Sequence, residues 1–546
     1  MSPRLKLLLY LLWIAAIAVF AAFHAFHLRA DFPNHTIWSG DWAKYTDEGW
    51  YSNAAVRAHL MGGWYLKGDF NPAVALPVWP FLEWILFSFT GVSLEAARGL
   101  AVAGFFLNLV LSYLLVVRSS SRATGLFALT LMVTSPFLYC FSRLANLEPF
   151  LMVFTLAALN LAVRVERFRR PLWGAAAVGV LFAVMMLTKT YALFLLPALA
   201  WAMVARILPR RRLAIQSLAV AGAVFAAIYG AWIALIASRG LFADYRLLFS
   251  INNYQKPPEF YWPLVAFWWS FHGGLWIDQV LAPVAGIVVL IAAAAAIAAK
   301  RARDGAASEC LRQFSRRLVF DPVFGASVLA IAGTILFMTF QNHPQPRYFA
   351  VTAVFCFCVI AQGAAAMLEQ ASSLHGRLRR VFAGAGAVVL AVSLLEAAAN
   401  GAQTMIYVTH PEYTFASAAD HLAQYIGSHP NGRRLLVSIS GDQIMLATRL
   451  PAICDDYGTM PLPQRLAIYQ PGWFAAWNDL DPERLEDLHT HYSLEQVAAW
   501  HAFDDTDRNL LVLFKLHPLP KGVARDKRAA NLRVQLPDDK FNVDVD

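Results

Sequence analysis

The stretch that decides the fold is MSPRLKLLLYLLWIAAIAVFAAF, residues 1–23, in which basic residues precede a long apolar run. About 19 apolar residues, rising 1.5 Å each in a helix, are enough to cross roughly 30 Å of membrane hydrocarbon. Because no small-x-small motif ends the run, we interpret it as a retained anchor and not as a cleaved signal peptide. The sequence therefore predicts a membrane protein from its first residues.

The composition of the remaining chain agrees with this prediction. Of the 546 residues, 58% are hydrophobic and 15% charged, whereas soluble domains average about half and a quarter. Further apolar runs predict about 11 membrane spans in all. Their centres lie near residues 107, 131, 154, 180, 199, 225, 289, 332, 358 and 390. A soluble protein, a disordered chain and a coiled coil are excluded.

The net charge of +9 raises the question of a nucleic-acid partner, which the distribution of the cations answers. Lys and Arg concentrate in alternate short loops, as expected for cytoplasmic loops of a polytopic protein. About 13 cations and about 19 acids follow residue 401, so the positive excess belongs to the membrane part. We therefore predict no nucleic-acid partner and a cytoplasmic N-terminus. The compact loops favour a location in a bacterial inner membrane.

The sequence divides into two predicted parts. Residues 1–400 form an α-helical polytopic domain with long outer loops at 27–95 and 239–277. Residues 401–546 are more polar, and RRLLVSIS, DQIMLATRL, PAICDD and NLLVLFKL predict a small α/β soluble domain on the periplasmic side. In the first outer loop, WYSNAAVRAHLMGGWYL and VWPFLEWILFSFTG are too short to span and are interpreted as helices lying in the membrane interface.

Adjacent carboxylates open the first of these segments. Asp47 and Glu48 stand at a predicted helix start, where acids interact favourably with the helix dipole and cap free N–H groups. The alternative is a functional role as a general base, a sugar ligand or a divalent-metal ligand at the membrane surface. Spacing alone does not choose between the two, and no complete metal-ligand set is evident, so a metal cofactor stays open.

Further ionisable residues fall at the outer ends of predicted spans. Arg143 and Glu148 in FSRLANLEPF are expected to form an ion pair with each other or with the Asp47 loop, or to belong to a functional site, because charges at this depth are costly. Lys189 in LTKTY either snorkels to the interface or binds phosphate.

The segment QNHPQPRYFAV, which opens the tenth span, adds His343, Arg347 and Tyr348. The arginine fork suits a phosphate or carboxylate, while an Arg–Tyr headgroup anchor is the alternative. His343 beside prolines also fits an ordinary turn. The topology puts these side chains on the same membrane face as Asp47, and acids together with cations are what a phosphate-linked substrate needs.

At these residues the chain resembles the GT-C membrane glycosyltransferases of the protein O-mannosyltransferase and aminoarabinose-transferase-like superfamily. The matching stretches are TDEGWY, GVSLEAARGLAV, FSRLANLEPFLMVFTLAAL, LTKTYALFLLPALA and QPRYFAV, in the family's order across roughly residues 5–400. The Lys-Pro-Pro motif that many relatives carry in the first outer loop is replaced here by NPAVALPVWP.

The resemblance implies an enzyme that transfers a sugar, with inversion, from a polyprenyl-phosphate donor to a glycan, lipid or protein acceptor on the outer face. It implies Asp47 as catalytic base with support from Glu48, and Glu148 as a residue lining the site. By position, the remaining residues would face the donor phosphate or stabilise the loops: Arg143, Lys189, Arg347 and Tyr348. A transporter or flippase of a lipid-linked sugar is the alternative, but it predicts midplane charges and repeated halves, which the sequence does not have.

Overall fold

A computed structural model describes residues 2–31, 42–251, 265, 278–301, 306–339, 345–374, 376–503 and 508–520. The membrane part is a helical bundle. Its helices are α1 (Pro3–Phe23), α2 (Asp47–Leu60), α3 (Val78–Thr90), α4 (Leu94–Val117), α5 (Arg122–Thr134), α6 (Pro136–Phe141), α7 (Glu148–Ala162), α8 (Pro171–Thr188), α9 (Leu196–Val204), α10 (Arg211–Ser238), α11 (Phe242–Ile251), α12 (Leu281–Arg301), α13 (Ala306–Leu318), α14 (Pro322–Thr339), α15 (Ala350–Ser372) and α16 (Gly376–Thr409).

All of the predicted span centres lie in helices. Within the described residues, eight helices are long and apolar enough to cross a membrane. The centres near residues 131, 154 and 199 lie instead on apolar helical segments of 10–17 residues, the last of which, Thr190–Val204, joins a 3₁₀ turn to α9. The polytopic helical fold is confirmed, whereas the predicted number of about 11 spans is not, because these three segments are shorter than a bilayer core requires.

The two helices of the first outer loop occupy different environments. Helix α3 exposes Phe89 (85%) and Phe81 (50%), which suits a helix with one face in the membrane interface. Helix α2 buries most of its length, including Asp47, Glu48 and Arg57. The prediction of an interfacial helix is therefore wrong for α2, because polar contacts and a second layer of protein cover it.

That second layer is the C-terminal region. It consists of α17 (Thr414–Ser428), β1 (Arg433–Val437), α18 (Gly441–Thr448), β2 (Ala452–Ile453), α19 (Leu462–Tyr469), β3 (Pro471–Trp477), α20 (Pro482–Leu488), β4 (Tyr492–His501) and β5 (Leu510–Pro518). The strand order is β2-β1-β3-β5-β4; β1 pairs in parallel with β2 and β3, and β5 pairs antiparallel with β3 and β4. The predicted small α/β domain is confirmed.

One apolar core joins this region to the first outer loop. Tyr45 and Trp79 share a cluster of buried side chains with Phe415, Trp473 and Trp477. No break marks the predicted boundary at residues 400 and 401, because helix α16 continues to Thr409. Apolar burial is the main stabilising term in folding, so the loop and the C-terminal sheet stabilise each other as one body.

Candidate active site

Asp47 opens helix α2 and faces an arginine from a distant segment. Its carboxylate forms an ion pair with the Nη2 of Arg347, and Thr46 Oγ1 donates a hydrogen bond to Asp47 Oδ1 at 3.0 Å. The two charged residues are 2% and 4% exposed. Arg347 lies in the 3₁₀ turn Pro346–Phe349, directly before helix α15, so about 300 residues of chain close around this contact.

A second buried ion pair lies beside the first. Lys189, the residue that ends helix α8, binds Glu148 Oε1 at the first turn of α7. The ring of Tyr348 lies between the pairs, with Lys189 Nζ 4.5 Å and Arg347 Cζ 5.0 Å from its centroid. Two acids and two cations from four separate elements thus surround one aromatic ring. We call Asp47, Arg347, Tyr348, Lys189 and Glu148 the Asp47 cluster.

Some buried hydrogen-bonding groups are unpaired at Glu148 and in the turn before it. Glu148 Oε2 and both amide atoms of Asn146 are buried and have no hydrogen-bond partner among the described residues. Native proteins satisfy most such groups, so an exception calls for an explanation such as a bound molecule. Burial raises the pKa of the nearby Tyr51 phenol well above its ordinary value, with the charge of Asp47 adding to the effect. Tyr51 therefore keeps its proton and is available as a donor.

Glu48 points into a different environment from its neighbour. Arg98 binds both of its oxygens, from Nε at 2.7 Å and from Nη2 at 2.6 Å. The backbone N–H of Ala145 donates to Oε1 at 2.8 Å, and Gln443 Nε2 donates to Oε2 at 3.0 Å. We call Glu48, Arg98, Ala145 and Gln443 the Glu48 cluster. Its carboxylate is fully hydrogen-bonded, which favours a role in holding helix α2.

Arg143 lies near the Glu48 cluster, close enough to interact with the charges of Glu48 and Arg98, but it forms no ion pair there. Arg143 donates to the carbonyl oxygens of Phe26 and His27 and to the hydroxyl of Tyr139. These carbonyls follow the C-terminus of α1, so the structure places Arg143 as a cation that stabilises a helix end. His343 lies outside the described residues. The structure therefore brings together Asp47, Glu148, Lys189, Arg347 and Tyr348, but not Arg143.

Sequence reasoning did not select Arg98, Gln443 or Asn146. Arg98 stands in GVSLEAARGLAV, where a single arginine in an otherwise apolar helix is a signal for a buried partner. Asn146 lies in the turn before α7, between Arg143 and Glu148. Gln443 carries no such signal, because its contact with Glu48 spans 395 residues.

The C-terminal region closes on helix α2 at a glycine. Gly49 N donates to Gln443 Oε1 at 2.7 Å, and a Cβ at position 49 would lie 2.1 Å from the backbone nitrogen of Gln443. About two turns further along α2, Arg57 binds Asp69 at 2.8 Å and Asp442 at 3.1 Å. This seam between α2 and α18 is therefore closely packed and rich in buried charge.

The two adjacent carboxylates do not form a shared metal site in this arrangement, because Asp47 binds Arg347 while Glu48 binds Arg98. Among the described residues there is no group of three or more His, Cys, Asp or Glu side chains that could hold a metal ion. The five cysteines are all buried and free. The charges that face Asp47 within this part of the chain come from arginine and lysine.

Comparison with known proteins identifies this architecture. Residues 72–234 match the family model of dolichyl-phosphate-mannose-protein mannosyltransferase. This match includes Arg98, Glu148 and Lys189. No curated protein matches the chain in sequence.

Solved structures match over nearly the whole chain. ArnT from Cupriavidus metallidurans bound to undecaprenyl phosphate has a TM-score of 0.55 at 12% identity, covering 93% of this chain and 97% of its own. Apo ArnT of the same organism has a TM-score of 0.55 at 13% identity, covering 94% and 98%. The oligosaccharyltransferase AglB from Archaeoglobus fulgidus has a TM-score of 0.49 at 10% identity, covering 94% and 75%. Its helical bundle, its C-terminal sheet and the two ArnT matches show that the chain has the GT-C fold.

Proposed function

We propose that this protein transfers a sugar from a polyprenyl-phosphate donor to a glycan, lipid or protein acceptor at the outer face of the membrane, with inversion at the anomeric carbon. The observation that carries the proposal is the Asp47 cluster, in which an acid at the start of α2 meets the cations Arg347 and Lys189. We place this face on the periplasmic side of a bacterial inner membrane, together with the C-terminal region, and the N-terminus in the cytoplasm.

A groove beside the cluster suits the lipid part of such a donor. A cavity of about 440 Å³ is lined by Met186, Thr190, Leu193, Phe194, Tyr229, Tyr245 and Phe249. Thr190 directly follows Lys189, so an apolar wall adjoins a cation that a phosphate can bind. A polyprenyl chain gains about 0.8 kcal/mol for each buried CH₂ group, which holds the donor at the membrane surface. ArnT, which shares the fold, is bound to undecaprenyl phosphate in one of its structures.

The proposed reaction balances in charge at this cluster. Asp47 takes the proton of the acceptor hydroxyl as its oxygen bonds to the sugar C1, and the C1–O bond to phosphate breaks. The leaving phosphate gains one negative charge while Asp47 loses one. Arg347, released from a charged Asp47, then faces the phosphate, with Lys189 as a second cation. The net charge of the site is the same before and after transfer, so the low-dielectric surroundings add no charge-separation cost.

Glu48 supports this chemistry indirectly. Its bonds to Arg98, Ala145 and Gln443 fix the first turn of α2 and with it the position of Asp47. A shift of about 1 Å in a reacting group costs on the order of 10²-fold in rate. We therefore propose Asp47 as the catalytic base and Glu48 as a positioning residue.

Asp47→Asn tests the proposal. The substitution keeps the shape of the side chain but removes the base, so transfer is expected to fall by about 10² to 10⁴-fold. The measurement is the release of polyprenyl phosphate from a labelled undecaprenyl-phosphate sugar by purified protein, read with the mass change of the acceptor. Asp420→Asn is the matched control, because Asp420 is a surface carboxylate paired with Arg29. Near-normal transfer by Asp47→Asn overturns the assignment, and movement of intact donor across a vesicle without cleavage favours the transporter.

A further inference from the structure

The C-terminal sheet carries a cleft of its own at the ends of its parallel strands. The cavity has a volume of about 450 Å³. Ile439 follows β1, Asp455 and Asp456 follow β2, and Trp477 ends β3, with Asp479 and Asp481 beyond it. The carboxyl ends of parallel strands are where α/β sheets bind ligands, because the loops that leave neighbouring strands diverge there.

One carboxylate in this cleft is buried without a partner. Asp455 is 4% exposed, and its Oδ1 has no hydrogen-bond partner in the part of the chain that the structure describes. Burial raises the pKa of Asp455 to about 7, against the opposing charge of Arg484. An unpaired buried carboxyl oxygen costs folding free energy, which a ligand able to donate a hydrogen bond would recover.

The charge of the cleft selects the kind of ligand. Four aspartates and two arginines line it. Arg484 is already engaged by Asp456 and, at 3.8 Å, by Asp481. The remaining balance is negative, so the cleft repels phosphates and other anions and favours neutral or cationic groups with several donors.

Aromatic side chains add an apolar contact. Trp477 is held by a hydrogen bond from its Nε1 to Ser440 Oγ at 3.1 Å, and Tyr45 packs against its ring at 5.4 Å. Trp477 is only 5% exposed and also packs against Phe415 and Phe503, so it offers the cleft a small, rigid apolar contact. A carboxylate beside such a contact suits a saccharide, whose hydroxyls donate to the acid while its C–H groups touch the apolar side chain.

The cleft also adjoins the proposed catalytic base. Tyr45 and Thr46 line it, and Thr46 Oγ1 donates to Asp47 Oδ1. A ligand in the cleft is therefore separated from the Asp47 carboxylate by a single residue of chain.

We propose that this cleft binds the sugar acceptor, and that the acceptor portion bound here is a neutral or amine-bearing saccharide. Asp455 and Asp479 accept hydrogen bonds from its donors, and the part of Trp477 that lines the cleft touches its C–H groups. The role of the saccharide as acceptor rests on the proposed glycosyl transfer, but saccharide binding in the cleft is measurable without turnover.

The test uses purified full-length protein and three probes: glucosamine, methyl α-glucoside and glucuronate. Binding is followed by calorimetry and by the fluorescence of Trp477, with Trp477→Phe to identify its signal. We expect glucosamine to bind most tightly and glucuronate not to bind. Asp455→Asn and Asp479→Lys are expected to weaken glucosamine binding about tenfold or more. Glu483→Lys, the same charge change on neighbouring helix α20 but outside the cleft lining, should bind as the unchanged protein does.

Binding of glucuronate as tight as that of glucosamine, or equal binding by Asp479→Lys and Glu483→Lys, overturns the inference. The two proposals fail separately. Asp47→Asn should bind glucosamine normally while losing transfer. Glucosamine should also become glycosylated by the unchanged protein given an undecaprenyl-phosphate sugar; binding without this transfer, in a preparation that cleaves the donor, also overturns the acceptor role.

Discussion

Asp47 and Glu48 are neighbours in the chain but belong to clusters of different character. The Glu48 carboxylate accepts four hydrogen bonds from Arg98, Ala145 and Gln443, whereas Asp47 faces an arginine that a phosphate can also bind. The Asp47 cluster is assembled from membrane-helix ends and adjoins an apolar groove, while the Glu48 cluster joins α2 to the C-terminal region. Consecutive residues of a helix point about 100° apart, so two neighbouring carboxylates of one turn reach two different clusters.

The largest effect on stability is expected from removing the cation of the Glu48 cluster. Arg98→Ala leaves a buried, uncompensated carboxylate, which costs about 3–5 kcal/mol in proteins of known stability. We expect a large loss of thermal stability in detergent and poor recovery of folded protein. The double variant Glu48→Gln/Arg98→Met removes both charges and should be much less destabilised. Equal stability of Arg98→Ala and the unchanged protein would show that Glu48 is not the attachment point.

Gly49→Ala tests the contact between α2 and α18. Because the added Cβ would lie 2.1 Å from the backbone of Gln443, the two segments must separate, and overpacking of this kind costs about 1–3 kcal/mol. We expect a lower melting temperature and faster proteolysis of the C-terminal region. Gly222→Ala is the matched control, since no atom lies within 4 Å of a Cβ there.

Substitutions in the Asp47 cluster should lower the affinity of the protein for the donor. Lys189→Met with Glu148→Gln removes a buried ion pair as a unit, so no lone charge remains. We expect the donor KM to rise about tenfold, equivalent to about 1.4 kcal/mol, with a smaller change in stability. Glu48→Gln/Arg98→Met provides the comparison, since it should leave the donor KM nearly unchanged. An unaltered KM in the Lys189 variant removes that residue from donor binding.

A smaller effect, on the pH dependence of stability, is expected at Asp455. Among the described residues, this buried carboxylate has no ion pair, unlike the two acids that open α2, and one of its oxygens has no hydrogen-bond partner. Its pKa is raised to about 7 by burial, with Arg484 and Arg465 opposing and Asp456 adding to the rise. Between pH 3.8, the ordinary pKa of an aspartate, and about pH 7, the Asp455 carboxyl keeps its proton in the folded state but not in the unfolded state. The stabilisation that comes from this proton is lost as the pH rises through 7. Asp455→Asn should reduce the fall in melting temperature between pH 5 and 8 by about 2–4 °C. Glu483→Gln should not change this fall.

The sequence predicted what depends on local pattern. Apolar runs located the bundle helices, and alternating apolar and turn residues located β1, β2 and β5. The charged residues Asp47, Glu148, Lys189 and Arg347 stood out because each is costly at the edge of an apolar segment. The structure brings these four together, whereas their catalytic and binding roles stay predictions.

The sequence could not predict what depends on long-range packing. Helix α2 has the composition of an interfacial helix, and only the C-terminal region that covers it makes it a buried one. Arg143 has the same signal as Lys189, but its partners are backbone carbonyls near Phe26, which no residue pattern marks. No sequence pattern marks the Glu48–Gln443 contact either, since glutamine is common on exposed helices.

The contact between Gly49 and Gln443 can form only late in the synthesis of the chain. The two residues are 394 positions apart, and at about 5–20 residues per second of synthesis roughly 20–80 s separate their appearance. Until α18 has been made, the helix that carries Asp47 has the contacts of Arg98 and Ala145 but lacks those of Gln443. Because of this order of synthesis, the nascent chain cannot complete the contacts around α2 until all of its membrane helices have been made.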